Sequence, residues 1–238
     1  LSCFNLKNPS DLYPSSDLKI RGQGDWAKKR YFKRIDDFKK KPIGYNKIVL
    51  LGNSITKGGG DWNKRLNVTN IINRGISGDI SEGVLERLDE IVHYKPIAVF
   101  LLIGFNNFFT DFNNDPLITP EYIYNNIIDI GKIITKKSPM TKVYLQTILP
   151  MNNKKYIDTT TEYSFLLTTY QPSINNQIVM VNSLLMNNNE FETIDLHSAF
   201  LNQDFQLDPK FSTDGVHLNE LGYQNWINII NPILKEIK

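Results

Sequence analysis

Four polar or glycine-containing clusters in this chain have residue types that could act together: Gly52-Asn53-Ser54-Ile55-Thr56, Gly75-Ile76-Ser77-Gly78-Asp79, Gly104-Phe105-Asn106-Asn107 and Asp214-Gly215-Val216-His217. A serine hydroxyl is a poor nucleophile until a base takes its proton, and an imidazole steadied by a carboxylate is the usual base. Asp214 and His217, three residues apart, can present both side chains to one cleft, the carboxylate fixing the tautomer that leaves the other ring nitrogen free to accept the Ser54 proton. Acyl transfer also needs donors for a developing oxyanion. The N–H of Gly78, with no side chain beside it, permits close approach, and the amide of Asn106 adds a second donor. Taken singly, Ser54 reads as a helix N-cap and His217 as a histidine at a helix start. Their company, in this order and each after an apolar run or before the last helix, favours the catalytic reading.

Other residues point less sharply. Gly58-Gly59-Gly60 lacks the Gly-Lys-Ser or Gly-Lys-Thr ending of a phosphate-binding loop and reads as a flexible loop beside the site. Trp62 and Phe105 are the candidates for contacting substrate, while His93 and His197 read as structural. With Cys3 as the one cysteine and no two histidines at helical i, i+4 spacing, no disulfide, cysteine zinc cluster or helical metal site can be built, and no metal or cofactor is expected.

The elements that must position these groups follow from periodicity. Short apolar runs at Lys47 to Leu51, Ile71 to Asn73, Ile97 to Ile103, Lys142 to Leu149 and Thr193 to Leu196 read as strands. They alternate with segments of i, i+3, i+4 spacing at Ile80 to Tyr94, Pro120 to Lys137 and Asn219 to Ile237, which predicts parallel strands joined by crossover helices in one α/β domain. A helical stretch is also expected between Asp158 and Asn187, started or interrupted by Pro172. In such sheets ligands bind beyond the carboxyl ends of the strands, where the first three clusters fall.

The four clusters together resemble the SGNH hydrolases, the GDSL family of esterases and lipases. The family's serine corresponds to Ser54, its glycine to Gly78, its asparagine to Asn106 and its histidine to His217, with Asp214 three residues before it; the matches run from Ile48 to His217. The resemblance implies a flavodoxin-like three-layer α/β/α sandwich with a five-stranded parallel sheet and a shallow, metal-free site. It implies that Ser54 attacks, that His217 serves as base and then acid, and that the oxyanion rests on Ser54, Gly78 and Asn106. Two positions depart from the family pattern: Asn53 stands where Asp usually precedes the serine, and Asn107 where Asp often follows the asparagine. Asn107 is similar to the branch of platelet-activating factor acetylhydrolase subunits, which favour short acyl groups. An O-acetylated carbohydrate is the expected substrate, with a lysophospholipid or thioester as the enzyme alternative and noncatalytic carbohydrate binding as the alternative from another class.

The 238 residues carry 27 basic and 25 acidic side chains, a net +2, with 41% hydrophobic and 22% charged residues, which excludes a disordered or collagen-like chain. The longest apolar run, Ile97 to Ile103, has the length of a buried strand and falls well short of a membrane helix. The basic cluster from Lys28 to Lys41, with Trp26, Tyr31, Ile35 and Phe38 recurring between the charges, reads as an amphipathic helix with a solvated face; no nucleic-acid partner is expected. Leu1-Ser2-Cys3 resembles the end of a bacterial lipoprotein signal. Residues 1–24 are therefore expected to be a polar tether, with a lipidated Cys3 giving peripheral attachment outside the cytoplasm, and residues 25–238 a single catalytic domain.

Overall fold

The computed structural model describes residues 9–109, 118–160 and 172–237. Strands β1 (Ile48–Gly52), β2 (Ile71–Gly75), β3 (Ala98–Leu102), β4 (Lys142–Gln146) and β5 (Glu192–Ile194) form one all-parallel sheet in the order β2-β1-β3-β4-β5. Every residue of β1 and β3 is buried, as expected for central strands covered on both faces. Side-chain alternation splits them between two layers. Val49, Leu51, Val99, Leu101, Val143 and Leu145 face a core built with α4 (Ser81–Leu85), α5 (Leu88–Tyr94), α6 (Pro120–Lys137) and α8 (Ile174–Met186). Ile48, Leu50, Phe100, Leu102 and Tyr144 face the opposite core, closed by α3 (Trp62–Leu66) and α9 (Glu220–Glu236). The strand order reverses between β1 and β3, so the crevice for a ligand opens at their carboxyl ends.

Two further helices matter for the site. The short α2 (Ser54–Gly58) starts two residues after β1, and α1 (Asp25–Lys40) lays Tyr31, Ile35 and Phe38 against Ile76 and Ile80, next to the end of β2. The basic cluster is thus amphipathic as its spacing predicts. Residues 1–8, with Cys3, lie outside the described residues. From residue 9 onward the polar segment packs on the domain: Leu12 and Ile20 are buried, and the Tyr13 hydroxyl donates to Glu90 at 2.9 Å.

One helical expectation needs correction. The single helix expected over Ile80 to Tyr94 is broken into α4 and α5, because Arg87 turns its side chain inward to a buried carboxylate, Asp79, at 2.7 Å and leaves helical geometry at φ −124°, ψ 25°. Between Asp158 and Asn187, α7 (Asn153–Thr159) ends at Thr159, residues 161–171 lie outside the described residues, and α8 starts after Pro172 as expected, with Ser173 as its cap.

Candidate active site

Ser54 is the first residue of α2, so its N–H has no partner within the helix and its hydroxyl stands at the mouth of the crevice. The cap is Asn53, whose side-chain oxygen accepts the Ile55 N–H at 3.0 Å. An Asp could make the same bond, but position 53 is only 1% exposed, and the amide caps without burying a charge. The second departure also has a local reason: Asn107 accepts the Ser81 N–H at 3.1 Å and donates to Glu82 at 2.8 Å. A carboxylate there could only accept.

His217 and Asp214 lie on the loop before α9. The His217 Nε2 is 3.0 Å from Ser54 Oγ, and its Nδ1 is 2.7 Å from Asp214 Oδ2. Because the carboxylate can only accept, Nδ1 carries the ring proton and Nε2 is left to accept from the serine hydroxyl. The other oxygen, Oδ1, accepts from the backbone N–H groups of Val216 (2.9 Å) and His217 (2.7 Å). Partial burial pushes the Asp214 carboxyl up, but the bonds from the His217 ring and these N–H groups outweigh it and hold it at about 2. Gly215, at φ +90°, sets the turn; a Cβ there would come within 2.6 Å of the Asn152 carbonyl oxygen and the Tyr156 nitrogen.

Gly78 also sits at positive φ (+78°), and a Cβ would meet the Trp26 ring at 2.6 Å, so only glycine leaves the N–H at this position open to the cleft. Asn106 opens onto the same cleft from the 3-10 turn Phe105–Phe109, and its side-chain amide donates one N–H to the Asp79 carbonyl at 2.8 Å. The second N–H is available to a ligand. Asp79 is held in turn by Arg87, which donates to its carboxylate at 3.0 and 2.7 Å and to the carbonyls of Arg74 and Gly52. Burial raises the Asp79 carboxyl, and the Arg87 guanidinium pulls it back. This pair locks the end of β1 to the Gly78 turn and the Asn106 amide. Asp79 lies inside the second sequence cluster, but its pairing with Arg87 has no local signature.

The cleft has a volume of about 500 Å³ and brings together Ser54, Gly78, Asn106 and His217. One side is apolar, with Phe105, Phe109, Tyr156 and Val216; the Phe105 and Phe109 rings stack at 5.2 Å. Phe105 is therefore at the cleft as expected. Trp62 is not. Its indole is 1% exposed, donates to the Thr56 carbonyl at 3.0 Å and packs edge-on against Trp226 at 4.9 Å, which makes it core. Nor is Gly58-Gly59-Gly60 a free loop, since a Cβ on Gly59 would enter the Trp62 ring at 2.2 Å and one on Gly58 would meet the Tyr223 hydroxyl at 2.3 Å. Neither His93 nor His197 lines the cleft. Among the residues missed from sequence are Trp26, Ala27, Arg30 and Lys57, which also line the cleft. Three of them belong to the helix read as a solvated basic face.

The profile of the GDSL-like lipase/acylhydrolase family matches residues 50–224. Among solved structures, a protein provisionally described as a platelet activating factor from Streptococcus pneumonia is 24% identical, covers 88% of this chain and 95% of its own, and superposes with a TM-score of 0.67. A GDSL-like lipase from Bacteroides thetaiotaomicron is 20% identical over 87% of this chain and 97% of its own, with a TM-score of 0.68. An acetyl xylan esterase is 21% identical over 79% and 99%, with a TM-score of 0.58. At these identities the likeness establishes the fold. No curated protein matches the chain.

Proposed function

The chain belongs to the GDSL-like lipase/acylhydrolase family of carboxylic ester hydrolases, and from that premise we propose that it is a serine esterase removing short acyl groups, acetyl above all, from O-acylated carbohydrates. The observation that carries the reading is the continuous chain from Ser54 Oγ to His217 to Asp214, at 3.0 and 2.7 Å, beside the Gly78 N–H and the Asn106 amide.

In this mechanism Ser54 Oγ attacks the ester carbonyl as its proton passes to His217 Nε2. The N–H groups of Ser54 and Gly78 and the side-chain amide of Asn106 receive the oxyanion. Collapse breaks the bond to the alcohol, which leaves with the proton from His217. Water, deprotonated by His217, then attacks the acyl-enzyme, and the acid leaves as Ser54 regains its proton. Asp214 stays ionised throughout. The acetyl reading is supported by the acetyl xylan esterase among the structural relatives.

The test is hydrolysis of p-nitrophenyl acetate, octanoate and palmitate by the parent and by Ser54→Ala, with a fluorophosphonate probe and mass spectrometry to locate the adduct. Acetate preference, loss of turnover in the variant and an adduct on Ser54 are expected. A preference for palmitate would move the reading to a lipid acylhydrolase, and equal turnover by both proteins would remove Ser54 as nucleophile.

A further inference from the structure

Besides its apolar residues the cleft is lined by two cations, Arg30 and Lys57, of which ester hydrolysis as such makes no use. Lys57 lies one helical turn after Ser54, so both project from the same face of α2, and its ammonium reaches the Ser77 hydroxyl at 3.3 Å, next to Gly78. Arg30 lies one turn after Trp26 on α1. Its guanidinium rests on the Trp26 ring at 4.1 Å, and the edge of that ring abuts Gly78. Neither cation has a carboxylate partner among the described residues, unlike Arg34, which faces Asp37 at 3.6 Å and donates to the Gly75 carbonyl. No acidic side chain lines the described part of the cleft. The Lys57 ammonium is lowered by partial burial and then by Arg34, Arg30 and Lys33, with Asp37 offsetting only part. The two charges therefore add positive potential beside the Ser54 hydroxyl and the Gly78 N–H, where the nearby carboxylate, Asp214, is engaged by the His217 ring.

We infer that Arg30 and Lys57 form an anion subsite, and that the preferred substrate is an acyl ester whose alcohol portion bears a carboxylate or a phosphate. The inference rests on the esterase reading above. It assigns the charge to the alcohol because an acetyl group has none. Trp26, 59% exposed although it is a large aromatic, carries the exposed Arg30 guanidinium on its ring at the edge of the cleft, beside the Gly78 turn.

The experiment compares kcat/KM for 3-acetoxybenzoate and 3-acetoxyphenyl phosphate with that for neutral 3-acetoxybenzamide, in low and high salt. The parent is expected to prefer one or both anions by about fivefold at low salt, the scale of two exposed ion pairs, and to lose the preference at about 0.5 M salt. The anion preferred tells carboxylate from phosphate. Arg30→Gln/Lys57→Gln, checked for folding by its melting temperature, is expected to lose the preference at every salt concentration, and Arg30→Lys to keep part of it. Calorimetric binding of the same esters to Ser54→Ala reads the subsite without turnover. Hydrolysis with no charge preference, or a preference that survives the double substitution, would overturn the anion subsite and leave the esterase standing. Charge-dependent binding that the double substitution abolishes, in a protein that hydrolyses none of the esters, would keep the subsite and overturn the esterase.

Discussion

At the scale of single residues, the proposed nucleophile, base and oxyanion donors are readable because acyl transfer demands particular functional groups, and those groups occur at strand ends. What surrounds them is not readable, since it is supplied by tertiary contacts. Trp62 has the composition of a substrate contact and the environment of a core residue, while Trp26 has the reverse. The charge on Asp214 bears on pH. Its folded carboxyl is held at about 2, below the ordinary ~3.9, so what this group adds to stability is complete above the ordinary value and is lost as pH falls toward 2. Because a general base must be unprotonated to accept the serine proton, kcat/KM is expected to fall on the acid side, and activity independent of pH would exclude His217 as base. Asp214→Asn can donate to the ring and favours the wrong tautomer, and kcat should fall about 10³- to 10⁴-fold. Asn107→Asp tests the second family departure. It would set a carboxylate against Glu82, which Asn107 now meets at 2.8 Å, and forfeit that donor, for a loss of about 2 kcal/mol at neutral pH. The crowded carboxylates are raised in the folded state, so this deficit grows as pH rises and shrinks as pH falls. Urea unfolding at pH 5 and pH 8 checks the sign.

Elements were legible to the extent that burial follows periodicity. The β1 and β3 runs are apolar on both faces, and the structure differs from the expected strands mainly in where their ends fall. The break between α4 and α5 was hidden because Val84, Leu85, Leu88 and Ile91 continue an unbroken helical stripe across it. What interrupts the helix is a long-range demand, the pairing of Arg87 with the buried Asp79, and no local propensity encodes that. Arg87→Met tests its importance. Leaving Asp79 buried without its partner should destabilise the fold by about 3–5 kcal/mol, and replacing both residues with apolar ones should recover much of that loss. Because the Asp79 carbonyl holds the Asn106 amide, the single variant should also lower kcat more than it changes KM. Denaturant unfolding with kinetics at one temperature separates the two effects. An Arg87→Met protein as stable as the parent would mean that Asp79 is neutral or reaches water.

For the whole molecule, the question is where the folding unit begins. The four motifs and the family match start near residue 48 or 50 and so carry no information on the segment before β1, of which residues 1–24 are expected from sequence to be a tether. The packing takes the unit further toward the N-terminus. Glu90 accepts bonds from Tyr13 (2.9 Å), the Ile43 N–H (3.0 Å) and Arg74 (2.7 Å), and Arg74 also donates to the Lys41 carbonyl. This buried junction ties the N-terminal segment, the end of α1, β2 and α5 into one body. Helix α1 adds Tyr31, Ile35 and Phe38, each at most 2% exposed, over Ile76 and Ile80. At about 1.5–3 kcal/mol for each buried large side chain, those three residues stand for roughly 5–9 kcal/mol, comparable with the ~5–15 kcal/mol net stability of an ordinary domain. The same helix backs the Gly78 turn through Trp26 and Ala27, so the proposed oxyanion donor depends on it as well. A chain starting at Tyr45 should therefore lack a cooperative melt, bind a hydrophobic dye and hydrolyse no p-nitrophenyl acetate, even though it keeps Ser54, Asp214, His217 and the whole family match. A truncated protein that melts within a few degrees of the parent would confine α1 to the specificity of the cleft and remove it from the fold.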